Sequence, residues 1–121
     1  MDCIFCKIIN GEIPSYTIYE DDNLKVFLDI NPFKTGHMLI IPKKHIEDYF
    51  EIDDATLSII MNKARDLKPL IYDKLHANGI KLVNNYGCEQ LVKHYHMHVI
   101  PCYDGEEPKL SVEEVYNILT K

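Results

Sequence analysis

The chain lacks any apolar run long enough to cross a membrane. The longest clean one is Met38-Leu39-Ile40-Ile41, against the roughly 20 residues a spanning helix needs. Basic residues are short, with 13 Lys plus Arg against 19 Asp plus Glu and a net charge of −6 with histidine neutral. That balance offers no basic face to neutralise duplex DNA or an anionic membrane. A small anionic ligand stays open, because a few donors in a pocket hold one. There is no repeat, low-complexity tract or linker, and Asp2 and Cys3 stand where a signal peptide would carry basic and apolar stretches. A cytosolic (cytoplasmic) location is therefore expected. With 121 residues, 46% apolar and 26% charged, residues 1–121 read as one soluble domain with one core.

Patterning predicts α+β. Residues 3–10 read as a short turn or helix ended by Gly11, and Tyr16–Tyr19 and Leu24–Asp29 as a hairpin about Glu20-Asp21-Asp22-Asn23. His37–Ile41 is a third strand, stopped by Pro42. Over residues 54–76 the period changes: Leu57, Ile60, Met61, Ala64, Leu67, Ile71 and Leu75 mark one long amphipathic helix. Asp53 or Asp54 caps it, Pro69 should kink or split it, and Asn78-Gly79 ends it. Ile80–Asn84 and Tyr95–Pro101 complete five strands, and the capping box Ser111-x-x-Glu114 opens a C-terminal helix over Val112–Leu119. Strands joined without regular crossovers imply a mainly antiparallel sheet.

Three of the six histidines fall in His94-Tyr95-His96-Met97-His98. Side chains alternate along a strand, so the three imidazoles share one face and Tyr95, Met97 and Val99 the other. Imidazoles are a costly way to fill a core and an odd way to solvate a surface, which marks a functional site. The close pair Cys3-x-x-Cys6 is half a zinc site, a redox pair or two inert thiols. Cys88 and Cys102 read as ordinary thiols, and His76 as a surface contact at a helix end.

His94 to Ile100, followed by Pro101, resembles the signature of the histidine triad (HIT) family of nucleotide hydrolases and transferases. Cys3-Ile4-Phe5-Cys6-Lys7-Ile8-Ile9, Gly11-Glu12-Ile13-Pro14, Phe27-Leu28-Asp29-Ile30-Asn31-Pro32 and Gly36-His37-Met38-Leu39-Ile40-Ile41-Pro42-Lys43-Lys44-His45 are similar to its Hint-type branch, in the family's order. The resemblance implies a HIT-like fold, with a five-stranded sheet, one long helix and short N- and C-terminal helices. It implies an adenosine 5′-monophosphoramidase-like enzyme that cleaves nucleoside 5′-phosphoramidates or related AMP or GMP conjugates at the α-phosphorus. His96 would form the covalent nucleotidyl-histidine, with His98 on the phosphate and leaving group and His37 setting protonation. Asp29 would accept from the ribose hydroxyls and Ile30 face the base. Asn85, with Asn84 as the off-by-one alternative, would contact ribose and phosphate, and Gln90 would lie near the phosphate. Structural zinc on Cys3, Cys6, His45 and His94, and a homodimer, are implied as well.

The chain departs from the family pattern at Glu89-Gln90-Leu91-Val92. Leu91 stands where relatives carry a hydroxyl near the scissile bond, and the 85–90 loop is about two residues short. The mid-triad imidazole is suited to attack near pH 7, with an unperturbed pKa of about 6.5. From the residues alone, two rivals stand beside this reading. One is a catalytic-zinc hydrolase built on the His94-His96-His98 strand; the other is a nucleotide-binding interaction module with little turnover.

Overall fold

The structure is a computed structural model and describes residues 3–121. Helix α1 (Ile4–Ile9) opens the chain, capped by the Cys3 side chain, which accepts from the Cys6 N–H. Strands β1 (Thr17–Glu20), β2 (Leu24–Leu28) and β3 (Met38–Pro42) follow. Helices α2 (Asp54–Asp66) and α3 (Lys68–Leu75) fill the middle. Strands β4 (Gly79–Val83) and β5 (Met97–Cys102) and helix α4 (Val112–Leu119) complete the chain. The five strands form one antiparallel sheet in the order β1-β2-β3-β5-β4. The α+β architecture read from the sequence is the one found.

Period-two patterning builds two unequal cores. Leu24, Val26, Leu28, Met38, Ile40, Tyr95, Met97 and Val99 pack with Ile60, Ala64, Leu67, Ile71 and Leu75 of α2 and α3 and Val115 and Leu119 of α4. The alternate positions Phe27, Leu39 and Ile41 pack under Cys3, Phe5 and Ile8. Both faces of the central strands are therefore covered, and α1 is what covers the histidine side.

The long helix bends where Pro69 predicts: α2 ends at Asp66, Leu67 links it to α3, and Pro69 occupies the first turn, where its missing N–H costs nothing. Asp53 caps α2 by accepting from the Thr56 N–H. The end differs from the expectation. His76 adopts the left-handed conformation, φ 62°, and closes α3 itself, while Gly79 is the first residue of β4. Pro42 is likewise the last residue of β3, paired with Leu24, rather than the stop after it. Gly36 has φ +89°, and a Cβ there would stand 2.5 Å from Leu75 Cδ1 and 3.1 Å from Pro101 Cγ. Only glycine makes this turn against α3, and the turn delivers the next residue, His37, to the start of β3.

Candidate active site and metal centre

The sheet register assembles the site. Leu39 lies opposite His98 in the β3–β5 ladder, so His37, two residues earlier, shares its face. The Asp29 N–H donates to the His37 carbonyl at 3.0 Å, which sets Asp29 beside them at the end of β2. β5 starts at Met97, two residues later than expected, because the Tyr95 N–H donates to the Ile46 carbonyl at 2.7 Å rather than to the ladder. The alternation survives that displacement. Tyr95, Met97 and Val99 enter the large core, while the His94 and His96 rings stand edge-on to Phe5, with centroids 5.9 Å and 5.0 Å away.

Hydrogen bonds to backbone groups fix which nitrogen of each imidazole carries a proton. His96 Nδ1 lies 2.8 Å from the His94 carbonyl, which can only accept, so Nδ1 is protonated and Nε2 keeps its lone pair. The Phe33 N–H donates to His37 Nδ1 at 3.0 Å, so the His37 proton sits on Nε2. That proton meets His98 Nδ1 at 2.9 Å and leaves the His98 proton on Nε2. Burial lowers the pKa of His96 and of His37. His98 is pushed down to about 4 by burial, then by the neighbouring His96 and His37. All three are neutral near pH 7. The group thus presents one unprotonated nitrogen, on His96, beside one N–H donor, on His98.

Both rings line a cavity of about 470 Å³ with Asp29, Ile30 and Asn31 on its wall. Phe5, Ile8, Phe27 and Leu39 supply apolar wall, and Leu91 and Val92 complete it beside Ile4. Asp29 Oδ1 accepts from the Asn31 N–H at 2.8 Å, and Oδ2 stands 3.7 Å from His37 Nε2.

A second cluster lies behind the first. Cys3, Cys6, His45 and His94 bring one ligand atom each within 4.8 Å of one another. Their S···N separations are 3.4 Å for Cys3–His94, 3.3 Å for Cys6–His45 and 3.6 Å for Cys6–His94. Zinc bonds of about 2.3 Å to sulfur and about 2.0–2.1 Å to nitrogen at a tetrahedral angle require about 3.6 Å. The proton of His94 is placed to suit: Nε2 donates to the Pro42 carbonyl at 2.9 Å, so the lone pair on Nδ1 faces the sulfurs. Burial, followed by the Cys3 thiol, pushes the Cys6 thiol up to about 11. Asp29, His37 and His98 also lie within 4.8 Å, but the His37 nitrogen facing the group is the protonated one, which disfavours metal there.

The HIT domain family matches residues 10–105. The chain belongs to the HIT family. An HIT-like protein of Methanocaldococcus jannaschii is 44% identical over 119 residues, covering 96% of this chain and 91% of its own. A zinc-bound histidine triad family protein of Mycobacterium smegmatis superposes with a TM-score of 0.91 at 34% identity, over 99% of this chain and 91% of that one. An adenylylsulfatase of Arabidopsis thaliana is 37% identical over 102 residues, 83% of this chain and 52% of its own length.

Placement of the remaining HIT-type candidates is uneven. Asp29, Ile30, His96 and His98 line the cavity, with His37 directly behind His98. Gln90 is buried and its amide donates to the Glu47 carbonyl at 2.6 Å. Asn84 donates from its amide to the His96 carbonyl at 3.0 Å, holding the backbone of the mid-triad residue. Neither Gln90 nor Asn85 is on the cavity wall. The sequence reading missed two supports of His37. One is the Phe33 N–H, which leaves no side-chain signal. The other is Glu107, whose Oε2 accepts from Thr35 N and Oγ1 at 2.7 and 2.8 Å.

Proposed function

We propose that this HIT protein hydrolyses nucleoside 5′-phosphoramidates or related purine nucleotide conjugates through a covalent nucleotidyl-histidine on His96. The observation that carries the reading is the complementary protonation of His96 and His98 in one cavity, an unprotonated nucleophile beside an N–H donor. The nucleoside would occupy the Asp29–Ile30 end, with the Asp29 carboxylate accepting from the ribose diol and Ile30 against the base. His96 Nε2 attacks the α-phosphorus; the phosphorus–nitrogen bond of the conjugate breaks, and the amine leaves with a proton taken from solvent water. His98 Nε2–H, backed by His37, supplies a hydrogen bond to the phosphoryl oxygen or the departing nitrogen. Water then attacks the phosphorus, the bond from phosphorus to His96 Nε2 breaks, and the proton lost by that water goes back to solvent, releasing the monophosphate. The adenylylsulfatase among the relatives supports an adenylyl group as the part retained.

Zinc would be held by Cys3, Cys6, His45 and His94, as a zinc-bound relative supports. There it supplies a closed structural cross-link that pins α1 to the sheet. The rival three-histidine zinc site is disfavoured, because the His94 lone pair is turned to the cysteines while that of His96 is free in the cavity. A homodimer would cover the exposed Tyr49, Phe50 and Tyr86. They line a trough of about 590 Å³ with Leu57, Met61 and the buried Tyr95. Light scattering tests that assembly: a particle of twice the chain mass is expected, and a particle of the single-chain mass overturns it.

The test is a panel of purine nucleoside phosphoramidates with wild type and His96→Gly. Turnover should fall at least about 10³-fold in the variant while monophosphate still binds. Binding without turnover by wild type across the panel favours an interaction module instead.

A further inference from the structure

Polarity is divided unevenly around the cavity. Ser15, Asp29 and Asn31 supply polar side chains, and His96 and His98 carry the chemistry. On the wall formed by Ile4, Leu91 and Val92 there is no side-chain donor, acceptor or charge. Leu91 is 89% exposed and Ile4 47%, so neither side chain is consumed by the fold. The same three residues are the apolar part of the adjoining surface depression of about 570 Å³, whose other lining residues, Cys3, His45, Glu47, Glu51 and Lys93, are polar or charged. Being common to both, they stand between the two, so a substituent that reaches from His96 toward the depression crosses apolar side chains.

We propose that Leu91, with Ile4 and Val92, is a leaving-group subsite that selects nucleotide conjugates whose amine carries an aryl or branched alkyl surface. The inference rests on the nucleotidyl-transfer reading above: with the nucleoside at Asp29 and the phosphorus at His96, the remaining substituent is the part that meets this wall. An exposed leucine beside an open depression accommodates bulk, and covering it with an apolar group removes surface of both from water. A small amine such as ammonia covers nothing and gains nothing from it.

The experiment uses adenosine 5′-phosphoramidates of ammonia, a short polar amine, and alkyl and aryl amines matched in basicity, with wild type, Leu91→Ala and Leu91→Ser. In wild type, kcat/KM should rise with the apolar area of the amine, by about 10-fold or more from ammonia to aryl, the range one to two well-placed carbon groups give. In both variants that ratio should fall about 5- to 10-fold. An equal ratio in all three proteins overturns the subsite while leaving the nucleotidyl transfer intact. Absence of turnover on every amide overturns the reaction itself. Because Leu91 is almost wholly exposed, unfolding does not mask either outcome, and matching circular dichroism melts verify it.

Discussion

Acidification is expected to weaken the fold through His98. In the folded chain burial, followed by the neighbouring His96 and His37, pushes that imidazole down to about 4. Released into water it titrates near about 6.5. Between those values the unfolded chain binds the proton and the folded chain does not. Stability is therefore full above about pH 6.5 and is lost as the pH falls toward about 4. A gap of about 2.5 units sets a ceiling of about 3 kcal/mol, and the half-buried ring's access to water reduces the expectation to about 1–2 kcal/mol. Urea unfolding of wild type and His98→Asn at about pH 7.5 and about pH 4.5 isolates the contribution, since acid effects on the cysteine–histidine cluster are common to both. The variant should lose about 1–2 kcal/mol less on acidification. An NMR titration of His98 with a midpoint at or above about 6.5, or equal acid losses in the two proteins, refutes the reasoning.

Purified protein should carry about one zinc per chain, and Cys3→Ser, Cys6→Ser, His45→Ala or His94→Ala should each lower both metal content and Tm. His96→Gly should leave the metal in place, a comparison made by elemental analysis on the same preparations. Glu107→Ala removes the acceptor of two Thr35 hydrogen bonds that brace the turn before His37, and should cost about 1–3 kcal/mol and lower kcat more than it raises KM. Glu107→Gln should recover part of the kcat, and an unchanged kcat in Glu107→Ala would remove it from the support of His37.

Much of this arrangement was legible because period-two patterning is a backbone property. Once Tyr95, Met97 and Val99 are read as core, the face of His94, His96 and His98 follows, even though Tyr95 bonds to Ile46 and the regular strand starts later. Pro69 likewise marks its own bend. The end of α3 was misplaced because the chain uses a left-handed histidine, His76, where the pattern favours glycine. Asn78 instead accepts from the Asp104 N–H at 2.9 Å. What pattern cannot reach is contact between distant segments. Glu107 meets Thr35 across 72 residues, and Gln90 turns its amide to the Glu47 carbonyl. Proton placement on the imidazoles depends on carbonyls and N–H groups that every residue possesses, so it becomes visible only in three dimensions.

The covalent intermediate is the most direct test of the central claim. Wild-type protein is mixed with an adenosine 5′-phosphoramidate, quenched in alkali, where a phosphorus–imidazole bond survives better than in acid, and mapped by peptide mass spectrometry. The account predicts one adenylyl group on the peptide that carries His96, absent from His96→Gly and formed no more slowly than turnover. An adduct on another residue, or rapid turnover with no adduct on His96 at any time, contradicts it.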